Sequence, residues 1–482
     1  MSGEAAELRR VGRRGIAGLA GAGAAAVSQF LLVMVVTRAF DAETAGYYFA
    51  LTAGCLMLAG IVRLDAGNSL IYFAVKCDMG RESRIWGYFR VALLPVTAIS
   101  VAIAVFALFW LDGTSLLGVA GLPAGSPTDV NGAIQGASSD ASTSPASGPG
   151  LADGLSAAVR LLAVAFPAVV LAEALVGASR GFGSMRPTVW LGGVLQPGAQ
   201  LGLVAAVALC WWYGLAGGAA VPWLVAAWAA PYLVVAVAAA VWLGGRVRRE
   251  PYRRGVAGDF WRHAGPRALG AAVQNVFQRL DIVIVAVLAG PVEAAVYTTA
   301  TRFKVLGQLA GQGLAQAAQP ALVRALADGD LPRARALYQR TTIWLVLLTW
   351  PVWLGYAALA PVLLGFFGSG YGEGAHIAVV LAATMMFASA CGMADVALVA
   401  AGRTTASLAG IIAATSATVL LDLLLIPAHG ALGAALGWSA GVIVKNALPL
   451  AQIWRHYGLR PFGPHTLPVA IPLRRARSST RP

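Results

Sequence analysis

The stretch "QNVFQRLDIVIVAVLAG", residues 274–290, carries Arg279 and Asp281 inside an apolar run long enough to cross a bilayer. A guanidinium grips phosphate or carboxylate with a planar bidentate fork and stays charged, whereas an intramembrane carboxylate marks a place for a proton or a cation. The pair therefore offers anion binding through Arg279 or ion coupling through Asp281. At about 100° per residue, Gln274, Asn275, Gln278, Arg279 and Asp281 share an arc of about 160°, and Val273, Val276, Phe277 and Leu280 fill the opposite arc. One face is expected to be wet and the other to meet lipid. Arg279 and Asp281 lie at opposite edges of the polar arc, so they are expected to reach different partners. From Ile282 to Ala289 the helix has no polar side chain, which confines its wet part to the cytoplasmic half.

The next apolar run repeats the pattern. Gln308, Gln312, Gln316 and Gln319, with Thr298, Thr301 and Lys304, form a stripe about 120° wide, and Arg302 stands beyond its edge. Polar stripes on consecutive helices imply a hydrated cavity between them. Elsewhere the apolar runs contain Arg38, Arg63 and Asp65 (in "IVRLDAGNSLIYFA"), Glu173, Asp395, Asp422 and Lys445. A charge at the bilayer centre costs at least ~2.5 to 3.5 kcal/mol, so such residues serve function or pair with one another. Pairing of Arg38, Arg63, Arg279, Arg302, Lys304 and Lys445 with Asp65, Glu173, Asp281, Asp395 and Asp422 would absorb nearly all of them. The case for an anion site therefore rests on Arg279 and Arg302 lying on or beside wet faces. The candidate substrate-binding set is Arg279, Arg302, Arg63, Lys304, Gln274, Gln278, Gln308, Gln312 and Gln316. Asp281, Asp65, Glu173, Asp395 and Asp422 are the candidates for ion coupling or charge pairing.

The elements that position these residues are transmembrane helices. Of 482 residues 58% are hydrophobic and 12% charged, against about 25% charged in soluble domains. Apolar runs of spanning length lie near 15–39, 46–73, 87–110, 157–178, 187–211, 220–243, 266–290, 295–322, 341–367, 376–400, 404–426 and 432–455. The net charge of +14 falls almost wholly on one side of this threading, in the N-terminal arginines, Lys76 to Arg90, Arg180, Arg246 to Arg267, Arg324 to Arg340 and the tail. "GPVEAA", "GSGYGEGAH" and "PAHG" on the other side have almost no Lys or Arg. The positive-inside rule then places both termini in the cytoplasm and removes nucleic acid as the explanation of the charge. Cys55, Cys77, Cys210 and Cys391 show no metal-ligand spacing, and there is no Walker A loop, HExxH or Cys/His array. Neither a metal, a cofactor nor an enzyme activity is expected.

Residues 111–156 are rich in Ser, Pro, Gly and Ala and lack Lys and Arg, reading as a disordered external loop. The basic segment 244–265 separates a six-helix lobe at 1–243 from a second at 266–456, followed by a basic cytoplasmic tail, 457–482. A weak repeat supports the division. "DAETAGYYFA" (41–50) aligns with "PVEAAVYTTA" (291–300), and "RPTVWLGG" (186–193) with "RTTASLAG" (403–410). With six helices each, the halves share an orientation and are related by a pseudo-two-fold axis along the membrane normal, an arrangement of alternating-access transporters. The fold class expected is an all-α polytopic membrane protein with twelve transmembrane helices in two such lobes.

Gly46-Tyr47 with Ala50, "RLD" at 279–281 followed by Tyr297 and Ala300, "AAGRT" (400–404) and "LLLIPAHGALGAALG" (423–437) carry a resemblance. By these the chain resembles the polysaccharide-transporter branch of the multidrug/oligosaccharidyl-lipid/polysaccharide exporter superfamily, the O-antigen-type flippases. The resemblance implies a V-shaped pair of lobes in the bacterial cytoplasmic membrane that moves an undecaprenyl-diphosphate-linked oligosaccharide outward for cell-surface polysaccharide synthesis. It implies as partners the lipid-linked oligosaccharide, membrane lipids and polysaccharide polymerase or ligase machinery. Arg279, Arg302 and Arg63 would draw in the diphosphate and the glutamine stripe would meet sugar. The alternative is a proton- or sodium-coupled small-molecule exporter using Asp281 or Asp65. A membrane glycosyltransferase or polymerase acting through external acids such as Asp41 and Glu43 fits the repeat poorly.

Overall fold

The computed structural model describes residues 2–80, 85–110, 149–182, 184–247, 255–304, 311, 314, 318–319, 321–326, 328–368, 370–464 and 466. Among the described residues every regular element is a helix. Ten helical stretches among the described residues are long and apolar enough to span a membrane, from Ala20–Ala39 to Thr404–Tyr457.

Two places relate these to the twelve runs in the sequence. The Thr404–Tyr457 helix has 54 residues, ~80 Å at 1.5 Å per residue, far more than a ~30 Å hydrocarbon core needs. It breaks at Gly430, whose φ of 53° and ψ of −133° suit glycine alone. There the chain turns into a hairpin of two spans. Close approach of its arms requires small residues: a Cβ at Gly433 would enter the Leu425 backbone, and one at Gly437 would enter the Asp422 carboxyl. The run expected over 295–322 begins as the Pro291–Thr301 helix, and most of its continuation lies outside the described residues.

The segment expected to be a loop over 111–156 ends earlier than its composition suggests. Residues 111–148 lie outside the described residues, and a helix runs from Pro149 to Ser179. Proline suits the first helical position because the amide hydrogen it lacks would have no partner there. Leu155, Ala158, Val159 and Leu162 then recur at helical spacing and are buried. Of the basic segment 244–265, residues 248–254 lie outside the described residues, as does the tail from 467.

By internal contacts the chain forms two compact units, Met1–Arg302 with Leu359–Ala378 and Thr415–Ala440, and Phe303–Ala358 with Val379–Ala414 and Gly441–Pro482. In the first, the Ala42–Val62 helix packs along both Val256–Leu288 and Pro291–Thr301. Glycine makes this possible: Gly46 lies against the Pro291 backbone and Gly60 under the Asn275 side chain, so neither has room for a Cβ. In the second, Tyr338, Ala334, Ala397, Leu398, Ile453 and Leu459 belong to one buried apolar cluster, and the Trp350 indole donates to Ser389 Oγ at 3.1 Å.

Candidate functional site

The Val256–Leu288 and Pro291–Thr301 helices meet at Gly290, whose φ of 91° turns the chain. Across this hairpin Tyr297 Oη donates to Asp281 Oδ2 at 2.6 Å, and the Ile282 amide donates to Oδ1 at 2.9 Å. Asp281 is 1% exposed and Tyr297 fully buried. The carboxylate thus holds two helices together with hydrogen bonds to both oxygens, the condition under which a buried charge is tolerated. Asp422, on the Thr404–Tyr457 helix, is also fully buried.

Arg279 and Arg302 differ from these acids. Each is partly buried, and the Nε of each is buried with no hydrogen-bond partner among the described residues. They lie within electrostatic reach of one another. The Arg302 guanidinium stands 6.0 Å from the Phe49 ring centroid, with buried Tyr48 also in electrostatic reach. Counted from the turn at Gly290 at 1.5 Å per residue, Arg279 is ~16 Å and Arg302 ~18 Å along its helix, near the middle of a ~30 Å core. Two cations, each with a buried donor lacking an acceptor among the described residues, make an electropositive arrangement whose chemistry suits an anionic group.

The remaining candidates have other partners. Arg63 pairs with Glu173 at 2.9 Å, and Asp65 with Arg267 at 3.0 Å. Asn68 Nδ2 donates to Asp65 Oδ1 at 2.6 Å, and Arg180 Nη2 donates to Asn68 Oδ1 at 3.3 Å. Asp395, in the second unit, accepts from Ser407 Oγ at 2.5 Å, with Lys445 in electrostatic reach. Arg38 Nε donates to the Phe366 carbonyl at 2.7 Å. Gln274 and Lys304 are partly buried and Gln278 is exposed, while Gln308, Gln312 and Gln316 lie outside the described residues.

One expectation about the 274–281 helix is corrected. Phe277, placed on the face meant for lipid, is 5% exposed, whereas Gln278 is exposed. The helix packs against Ala42–Val62 over much of its length, so part of its apolar arc is a helix-to-helix seam. Sequence reasoning did not single out Tyr297 as the partner of Asp281, although a tyrosine sixteen residues on across a Gly-Pro turn faces back at that depth. It also missed Arg267, which was read as a topogenic charge.

Against known proteins, the MatE family pattern matches residues 266–424. The inward-facing conformation of a multidrug resistance MATE family transporter of the MOP superfamily superposes with a TM-score of 0.69 at 16% identity, covering 90% of this chain and 94% of that one. The lipid II flippase MurJ in its inward closed conformation gives 0.63 at 12% identity, covering 92% and 86%. A MOP superfamily transporter from Pyrococcus furiosus Vc1, described as having a binding pocket of reverse polarity, gives 0.56 at 16% identity, covering 93% and 96%. No curated protein sequence matches the chain. The match and the shared architecture define the class: this is a multi-pass membrane protein with the two-lobe, all-α fold of the MATE transporters.

Proposed function

We propose that the protein is a flippase that carries a lipid-linked, diphosphate-bearing oligosaccharide across the bacterial cytoplasmic membrane, with Arg279 and Arg302 receiving the diphosphate. The observation that carries this reading is the contrast in satisfaction. The carboxylates of Asp281, Asp65 and Glu173 are engaged by protein donors, whereas Arg279 and Arg302 keep Nε donors buried without an acceptor among the described residues. Diphosphate oxygens supply such acceptors, and the guanidinium fork matches them in geometry. Arg63, held by Glu173, acts in this reading through the local field. One solved structure of similar fold is named a lipid II flippase, so a lipid cargo is compatible with the fold.

Energetics set the direction. With both termini inside, each net negative charge moved fully outward gains about 2.3 kcal/mol per 100 mV of inside-negative potential. If the arginines neutralise the diphosphate, the gain moves to the return of the empty, positively charged site. The alternative, a cation-coupled small-molecule exporter, draws on the full burial of Asp281 and Asp422 and on the multidrug transporters of the same fold.

The test uses proteoliposomes holding the full chain and a fluorescent polyprenyl-diphosphate oligosaccharide, read by its accessibility to a membrane-impermeant quencher. The chain is expected to speed translocation, with Arg279→Gln slowing it by roughly 10-fold or more, the worth of a hydrogen bond to a charged group, and Asp281→Asn retaining most of it. Full translocation of this lipid by Arg279→Gln would remove Arg279 as its receptor; no acceleration by the parent chain, together with cation-driven efflux of a small molecule that Asp281→Asn abolishes, would favour the exporter reading instead.

A further inference from the structure

A second charged cluster plays no part in the proposed binding site. Between the Ala42–Val62 and Ala66–Gly80 helices, Leu64 (φ 50°) and Asp65 (φ 53°) both occupy the left-handed region. Aspartate tolerates that conformation and leucine does not. Two such residues in succession persist only where the surroundings over-determine them.

Here the surroundings are specific. Asp65 is 3% exposed, and its oxygens are divided between two elements: Oδ2 accepts from Arg267 Nε at 3.0 Å and Oδ1 from Asn68 Nδ2 at 2.6 Å. Arg267 belongs to the Val256–Leu288 helix, so the ion pair joins the first half of the chain to the second. Beyond it, His263 stacks on Tyr72 with ring centroids 4.2 Å apart, and Phe260 packs on Phe73 at 5.5 Å. The two partners differ in exposure, 51% for the Arg267 side chain against 4% for Asp65. Withdrawing Arg267 returns a half-exposed group to solvent and leaves one buried charge, Asp65, with Asn68 still donating to it, so opening costs less than for a pair buried at both ends, where two charges would be stranded.

We propose that Asp65 and Arg267 form a releasable clasp between the Ala66–Gly80 and Val256–Leu288 helices, loaded by the left-handed turn at Leu64–Asp65. While closed, the ion pair holds that turn. When Arg267 withdraws, residues 63–65 relax to right-handed helix and join Ala42–Val62 to Ala66–Gly80 as one rod, so the relaxation favours the open state. The clasp is a property of the conformational cycle and does not depend on which substrate the arginine pair takes.

The experiment uses the full chain in lipid nanodiscs with Cys55, Cys77, Cys210 and Cys391 replaced by alanine and spin labels at Lys76→Cys and Gly258→Cys. Both label positions are exposed, and Gly258 has open space around it. The parent is expected to give one dominant short distance. Asp65→Asn and Arg267→Gln are each expected to raise the long-distance population roughly fivefold or more, and the double variant to do no more than either alone. Leu64→Gly, which removes the left-handed penalty, is expected to lower that population roughly fivefold in the Asp65→Asn background. It acts opposite to damage from misfolding. Unchanged distances in Asp65→Asn and Arg267→Gln, or a longer distance in Leu64→Gly, overturn the clasp.

Discussion

The helical hairpin at residues 20–62 and the one at 256–302 start from similar sequence and end in opposite chemistry. At the 250-residue offset that aligns "DAETAGYYFA" with "PVEAAVYTTA", Gln29 corresponds to Arg279, Leu31 to Asp281, Tyr47 to Tyr297 and Thr52 to Arg302. In the first stretch the polar groups bond neutral partners, some of them on other helices. Gln29 Nε2 donates to Gln200 Oε1 at 3.0 Å, Gln200 Nε2 to the Trp228 carbonyl at 2.9 Å, and Thr52 Oγ1 to the Tyr48 carbonyl at 2.8 Å. In the second, the corresponding positions carry two guanidinium groups whose buried Nε donors have no acceptor among the described residues and one carboxylate tied across the turn. The two aligned stretches thus carry neutral polar groups in one case and charged groups in the other. Neutral amides satisfy one another in place, whereas a buried guanidinium donor without an acceptor carries a desolvation cost.

The largest effect should come from erasing that difference. Arg279→Gln with Arg302→Thr gives the second hairpin the residues of the first, and the pair is expected to lower diphosphate-lipid translocation roughly 100-fold or more, each lost charged hydrogen bond being worth ~1.5 to 3 kcal/mol. Thermal stability in detergent should stay level or rise, because two partly buried cations with unsatisfied donors have been removed. A parental rate in the double variant would place the binding chemistry elsewhere.

Next comes a break in the scaffold itself. Gly46 corresponds to Val296, and only the first must be glycine: its Cα lies on the Pro291 backbone, with no room for a Cβ. Gly46→Val is expected to cost about 4 kcal/mol or more, enough to lose the folded protein, because backbone cannot yield as a side chain does. Val296→Ala, which shortens a side chain packed on Gly374, is expected to cost ~1 kcal/mol. Yield of monodisperse protein separates the two.

The all-helical, multi-pass architecture was legible because apolar length and charge asymmetry are carried by the residues themselves. So was the turn inside "LLLIPAHGALGAALG", where Gly430 reverses a helix that hydropathy alone would continue. The charged seventh span was legible as well, but its environment was not. A helical wheel ranks residues by angle and says nothing of which neighbour occupies that angle, so Phe277 was assigned to lipid although it is buried in the first unit. Nor does spacing reveal long-range ion pairs. Asp65 and Arg267 are 202 positions apart, and only the fold brings them together.

A matched pair of tyrosines gives a smaller and cleaner measure. Tyr297 Oη bonds Asp281, while Tyr47 Oη, at the corresponding position, is buried with no partner among the described residues. Tyr297→Phe is expected to destabilise by ~1 to 3 kcal/mol, since it strips a donor from a buried carboxylate. Tyr47→Phe removes a hydroxyl that bonds nothing there and is expected to be neutral or slightly stabilising. Equal shifts in melting temperature for the two would mean that the tyrosines act by packing alone.

The smallest effect separates the ends of the hairpins. In the first, Asp41 caps its own helix, its Oδ2 accepting the Thr44 amide at 2.9 Å. In the second, Gly290 offers no side-chain cap, and Glu293 in the first turn reaches away: its Oε2 accepts the Ala431 amide at 2.8 Å, just past the break at Gly430. A helix start leaves amide donors unsatisfied, and a carboxylate brought from a neighbouring helix serves as well as a local one while also fixing where that helix begins. Glu293→Gln keeps the shape and removes the charge, so it is expected to cost ~0.5 to 1 kcal/mol, and Asp41→Asn, which keeps a capping oxygen, only a few tenths of a kcal/mol. Hydrogen exchange at the Ala431 amide reads the difference directly. Faster exchange there in Glu293→Gln, unmatched in Asp41→Asn, would show that the second hairpin spends its acid on holding a distant helix, whereas the first spends its own locally.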